Sequence, residues 1–156
     1  MSYGMAALWN LKPALHNRQM DTRKDAAELS LYKRLGGYDL IAAIVDDLFS
    51  QMRADARFGR FAVGRSIDSR RRSQQLTVDL ICSLSGGTCY YIGRDMRTSH
   101  AGLAITEGEW EAILELTRKA LHNHGIGNRE QAEFLSLFER YKSDIVEAPK
   151  EPAGAG

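Results

Sequence analysis

From Asp39 onward the apolar residues Ile41, Ile44, Val45, Leu48, Phe49 and Met52 recur at steps of three and four, with Asp46, Asp47, Ser50 and Gln51 between them. That period predicts an amphipathic helix with one buried face, ending near Arg53 to Asp55. Ahead of it, Ser30 to Leu35 reads as a short helix stopped by Gly36 and Gly37, whose access to positive φ lets the chain turn sharply. Behind it, Phe58 and Phe61 place two aromatics in the connection. Asp68 then stands where a carboxylate can cap the next helix by accepting its free N–H groups. In that helix Leu76, Val78, Leu80, Ile81, Cys82 and Leu84 form an apolar surface too broad for packing on one side, so it should touch two bodies at once.

The regular pattern lapses over Gly86 to Ile105, where a double glycine, Tyr90 and Tyr91, a Gly-Arg-Asp-Met turn and His100 follow one another. It returns at Thr106 and Glu109, which have the spacing of a capping box. Trp110, Ile113, Leu114, Thr117 and Leu121 mark the inward face of the helix so begun. Gly125 to Gly127 breaks the chain, Asn128 with Gln131 restarts it, and Phe134, Leu135, Phe138, Tyr141 and Ile145 give the last stripe. The alternation over Cys89 to Ile92 is too short to found a sheet. Four long helices joined by short breaks predict an all-α bundle. Residues 1–29 lack sustained periodicity and read as a flexible extension, with Trp9 its residue most suited to a groove. Residues 30–146 form the folded domain, and 147–156, with two prolines and two glycines, a disordered tail.

Length and charge narrow the picture. A chain of 156 residues supports one domain with a sizeable core. With 21 basic and 20 acidic residues the net charge is +1, which gives no case for nucleic acid. The run Arg70-Arg71-Arg72, with Arg60 and Arg65 nearby, reads as the exposed start of a helix, or as a patch for an acidic partner. No apolar run is long enough to cross a bilayer, and the N-terminal apolar patch around Met5 to Trp9 is too short for a signal-peptide core, so a cytoplasmic location is expected. Cys82 and Cys89 are too few for a disulfide framework and are expected to be thiols, Cys82 as inert packing. His122 and His124, two residues apart, do not share a helix face and read as surface residues.

The candidate chemistry centres on His100. No second His, Cys or carboxylate stands at the helical spacing that would complete a zinc site, and no Cys-x-x-Cys-His run could tether a c-type haem. A lone imidazole on an apolar background is by base rate a core residue. Its neighbours change that reading. Leu31-Tyr32, Leu35-Gly36-Gly37, Val45-Asp46-Asp47, Gly86-Gly87, Tyr91, Gly93, Met96, His100 and Leu103 to Thr106 recur in the order of the truncated haemoglobins, most like the first group of that family. The chain from Leu31 to Val146, about three quarters of it, is similar to them.

The resemblance implies a two-over-two helical sandwich holding haem b, with His100 as the proximal iron ligand and Tyr91 and Met96 lining the proximal side. Its second ring nitrogen should donate to a backbone carbonyl. It implies reversible binding of oxygen, nitric oxide or carbon monoxide, and oxygen transport or oxidation of nitric oxide to nitrate. No flavin or nicotinamide motif is present, so turnover would need an external reductase. A monomer or weak homodimer is expected.

On the distal side the family's tyrosine position falls on Phe49, which cannot donate a hydrogen bond. Counting back from Gly86-Gly87 puts Ser73 and Thr77 over the haem, with Leu80 and Ile81 as apolar walls. Counting forward from Phe61 brings in Gln74, with Gln75 beside it as a second amide. Arg72, Arg94 and Arg97 are candidates to pair with the propionates. Two rival readings stand beside this one: a haem-free helical interaction module using Arg70 to Arg72, and a haem-based gas or redox sensor signalling through the N-terminal extension. His16 is the residue of that extension that could bring a second imidazole to the iron.

Overall fold

The computed structural model describes residues 29–147. The extension and tail assigned from the sequence, with Trp9 and His16, lie outside the described residues apart from Leu29 and Glu147. Ser30 caps α1 (Leu31–Arg34), its hydroxyl accepting from the Lys33 N–H at 3.4 Å. Gly36 and Gly37, at φ +94° and +83°, then turn the chain into α2 (Tyr38–Ala54), which buries Ile41, Ile44, Val45 and Leu48 as its periodicity requires. Each such side chain contributes about 1.5–3 kcal/mol on full burial.

A 3-10 helix, Ala56–Phe61, connects α2 to α3 (Ile67–Leu84). The cap of α3 is Ser66, not Asp68: the Ser66 hydroxyl accepts the Ser69 N–H at 3.1 Å, which leaves Asp68 exposed in the first turn beside the positive end of the helix dipole. After an irregular run come α4 (Met96–His100), capped by the Asp95 carboxylate, and α5 (Glu107–Asn123), which opens on the expected Thr106–Glu109 capping box. α6 (Asn128–Glu139) restarts after Gly125, with Gly127 in the cap position and no side-chain cap. The last apolar stripe is not one helix. The chain turns at Tyr141, whose N–H bonds the Phe138 carbonyl at 2.9 Å, and α7 (Lys142–Ile145) follows.

α2 packs against α3 on one side and α5 on the other, and α5 packs against α6, so the pair α2–α3 lies over the pair α5–α6. The buried face of α2 meets Val78 and Ile81 of α3, Leu116 and Leu121 of α5 and Phe134 of α6 in one core. Arg34 bonds Glu130 at 2.6 Å and also Glu133, tying α1 to α6. The C-terminal end returns to the loop beyond α4: Ile105 and Val146 form an isolated parallel bridge, and the Glu147 N–H bonds the Ile105 carbonyl at 2.9 Å.

Cys82 and Cys89 are not thiols. A disulfide joins them, with Cα atoms 5.8 Å apart, because the turn at Gly86 and Gly87 folds the chain back onto the end of α3. The pair therefore lends no support to a reducing compartment. His124 is also more engaged than a surface residue, its Nε2 lying 3.7 Å from an Asp47 carboxylate oxygen, whereas His122 is exposed.

Candidate functional site

The second body that α3 touches is a cavity of about 490 Å³. Ser73, Leu76, Thr77, Leu80, Ile81 and Leu84 line it, at the three- and four-residue steps of one helical face. Phe49 and Met52 close it from the end of α2, Phe58 and Phe61 from the 3-10 helix, and Trp110 and Ile113 from α5. Tyr91, Met96 and His100 also line it, as do Phe138, Tyr141 and Ile145. A volume of this size, with mostly apolar walls and a few polar groups, is that of a site for an organic ligand.

His100 is held rather than free. Its Nδ1 lies 2.8 Å from the Met96 carbonyl oxygen, one turn back in α4. A carbonyl can only accept, so Nδ1 carries a proton, and in the neutral imidazole the lone pair is then on Nε2. Tyr91 is fixed in a similar way, its hydroxyl donating to the Arg94 carbonyl at 2.6 Å, and burial pushes its phenol above the ordinary value. The indole Nε1 of Trp110 is buried without a hydrogen-bond partner among the described residues.

α3 contributes two hydroxyls to the cavity. The Thr77 hydroxyl donates to the Ser73 carbonyl at 2.9 Å, which commits its proton. The Ser73 hydroxyl accepts from the Arg65 guanidinium. The two glutamine side chains face elsewhere: Gln74 bonds Asp46 at 2.9 Å, and Gln75 bonds the Tyr38 hydroxyl at 2.7 Å and Asp79 at 3.0 Å. Helical geometry explains this, since residues one and two beyond Ser73 are rotated roughly 100° and 200° from its face. The amides are therefore not among the cavity's walls.

Of the residues singled out from the sequence, the fold brings His100, Tyr91, Met96, Phe49, Ser73, Thr77, Leu80 and Ile81 around one cavity. Arg72 and Arg97 are not among its walls. Arg72 is exposed, and Arg97 pairs with Asp144 at 2.6 Å, joining α4 to α7. Arg65 and Glu109 line the cavity without having been legible as site residues. Arg65 reads in the sequence only as one charge among several, and Glu109 only as a capping residue. Glu109 also bonds Arg60 through both carboxylate oxygens, at 2.8 and 2.7 Å, and this pairing holds its carboxyl down at about 2. Arg60 further donates to the carbonyls of Leu103 and Ala104, at 2.6 and 3.0 Å, so one guanidinium fastens the chain just beyond His100 to the start of α5.

Comparison with known proteins places this arrangement. The family model described as bacterial-like globin matches residues 30–147. A group 1 truncated haemoglobin of Tetrahymena pyriformis is 25% identical over 117 residues, covering 75% of this chain and 94% of that protein. Another, from Mycolicibacterium paratuberculosis, is 24% identical over 123 residues, covering 79% and 88%. Among solved structures, the Fe(III) form of the Tetrahymena pyriformis truncated haemoglobin superposes with a TM-score of 0.70 at 23% identity, over 77% of this chain and all of that one. A Synechococcus 2/2 haemoglobin, solved in the cyanomet state with covalently attached haem, gives 0.68 at 24% identity over 76% of this chain and 98% of that one.

Proposed function

The chain belongs to the bacterial-like globin family, and from that premise we propose that it holds haem b in the cavity between α3 and α4 and takes oxygen, nitric oxide or carbon monoxide there. The residues fit the group. A single imidazole with a free Nε2 faces a largely apolar slot, and the unpartnered indole Nε1 of Trp110 is a buried polar atom beside a space that a large ligand would fill. When bound, haem would supply an iron that takes one protein ligand and keeps a coordination position open for a small gas.

The observation that carries the reading is the Nδ1 contact of His100. The bond to Met96 sets the ring's rotation and tautomer, so Nε2 is the nitrogen available to iron, and it raises the basicity of that nitrogen. Tyr91 and Met96 close the same side. Phe49, Leu80 and Ile81 keep water out, and Ser73 and Thr77 supply hydroxyls from α3. Neither Arg72 nor Arg97 has support as a propionate partner, the one being exposed and the other held by Asp144. The enzymatic form of this reading is oxidation of nitric oxide to nitrate by oxygen, one electron per turnover coming from an external reductase.

The test is the absorption spectrum of the purified protein in its ferric, dithionite-reduced and carbon monoxide-treated forms, beside a His100→Gly variant. An intense Soret band that shifts with carbon monoxide, and is lost in the variant, is the expected result. A folded protein without such a band would leave the haem-free interaction module as the better account.

A further inference from the structure

Serine and threonine hydroxyls inside helices usually bond back to a carbonyl of the preceding turn. Thr77 does so at 2.9 Å, Thr117 to Ile113 at 2.7 Å and Ser99 to Asp95 at 2.8 Å. Ser73 does not. The carbonyl it would use, that of Ser69, accepts from Arg65 Nη2 at 3.2 Å, and the same guanidinium donates to the Ser69 hydroxyl and to the Ser73 hydroxyl. Ser73 thus accepts a hydrogen bond from a permanent cation while its own proton has no carbonyl partner among the described residues.

An oxygen that accepts a charge-assisted bond becomes a stronger donor, because each bond in such a chain polarises the next. Ser73 and Arg65 both line the cavity that His100 faces. Arg65 is itself exposed, so its charge acting through space is screened by solvent and salt, whereas its hydrogen bond couples that charge directly to the Ser73 hydroxyl.

We propose that Arg65 is a positioning residue: it withholds Ser73 from its helical carbonyl, polarises the hydroxyl, and makes Ser73 the donor to a gas ligand opposite His100. The proposal rests on the haem reading above. Its consequence is selectivity. A ligand that gathers negative charge on its outer atom, as oxygen does, gains from the donor, whereas carbon monoxide, which gathers little, gains almost nothing. Ser73 and Arg65 then take the place of the hydroxyl that Phe49 lacks.

Haem-loaded wild type, Ser73→Ala, Arg65→Gln and Arg65→Lys are compared by gas dissociation rates and by the C–O stretching frequency of the carbon monoxide complex, a direct report on positive potential at the ligand. Ser73→Ala should release oxygen roughly tenfold faster, about 1.4 kcal/mol, with carbon monoxide release nearly unchanged and the stretch moved to higher frequency. Arg65→Gln should reproduce most of both changes, and Arg65→Lys, which restores a cationic donor, should recover them. If Ser73→Ala alters the stretch and Arg65→Gln does not, Ser73 acts without Arg65 and the proposal falls. It falls equally if Arg65→Gln only weakens haem retention, which would make Arg65 a propionate partner. A wild-type protein with no Soret band would overturn the haem reading instead, a result distinct from both.

Discussion

Cys82, in the last turn of α3, is joined to Cys89, seven residues further on, and the bond fastens the run leading to Tyr91 against the helix that carries Ser73 and Thr77. Closing a loop of this length restricts the unfolded chain by about 2–3 kcal/mol. Cys89→Ser should lower the thermal midpoint by several degrees, and wild type melted in reductant should fall to the same temperature. Midpoints that coincide with and without reductant would mean that the cross-link adds nothing to stability.

The same turn depends on Gly87. A Cβ built there would lie 2.6 Å from the Cys82 sulfur and 2.7 Å from the Tyr32 ring, both closer than real side chains approach. Gly87→Ala should therefore destabilise the protein by about 1–3 kcal/mol through overpacking. Gly59→Ala, where a Cβ meets nothing within 4 Å, is the control and should be close to neutral. Chemical denaturation of the two variants checks both, and equal midpoints would show that the turn yields to admit the methyl group.

The helical period made most of this fold legible. Ile41, Ile44, Val45 and Leu48 are buried as their spacing requires, and the Thr106–Glu109 capping box is formed. The breadth of the apolar surface on α3 pointed to two packing partners, and they are α2 and the cavity. What the sequence hid follows from contacts between distant segments. Asp68 and Ser66 are both competent caps, and only the path of the backbone selects Ser66. Cys82 and Cys89 sit in an apolar and an irregular stretch, with nothing local to show that a glycine turn brings them together. Counting along α3 in two directions left Gln74 and Ser73 both open as distal groups, and which of them lines the cavity depends on which face of the helix meets α2. Arg65 precedes that helix, and its reach to Ser73 depends on how the chain enters the first turn.

Glu109 gives the fold an acid limit. Its hydrogen bonds with Arg60, helped by the Thr106 N–H, lower its carboxyl from the ordinary 4.5 to about 2. A carboxyl depressed by folding stabilises the folded state fully above its unfolded value, and that contribution is lost as pH falls from about 4.5 toward 2. Glu109→Gln keeps a side chain that can complete the capping box but cannot titrate. The variant should be less stable than wild type at neutral pH, and the gap should narrow steadily below pH 4.5. Urea midpoints measured across that range check it; a gap independent of pH would show that the carboxylate charge is irrelevant to stability.

Phe49 offers the most direct probe of the gas site. It lines from α2 the cavity that Tyr91, Met96 and His100 also line, and its ring has no group to donate. Phe49→Tyr adds a hydroxyl to a half-buried position with few polar neighbours, so the new group gains most by finding an acceptor within the cavity. In the haem-bound protein a gas ligand is such an acceptor. One added neutral hydrogen bond is worth about 1 kcal/mol, so oxygen release should slow by roughly fivefold while carbon monoxide release changes little. Combined with Ser73→Ala, the new hydroxyl should recover part of the lost retention, because either donor serves the same ligand atom. Stopped-flow dissociation of oxygen from the four proteins of this cycle measures the coupling. Oxygen release unchanged by Phe49→Tyr in both backgrounds would place the ring's edge out of reach of the ligand and remove Phe49 from the distal wall.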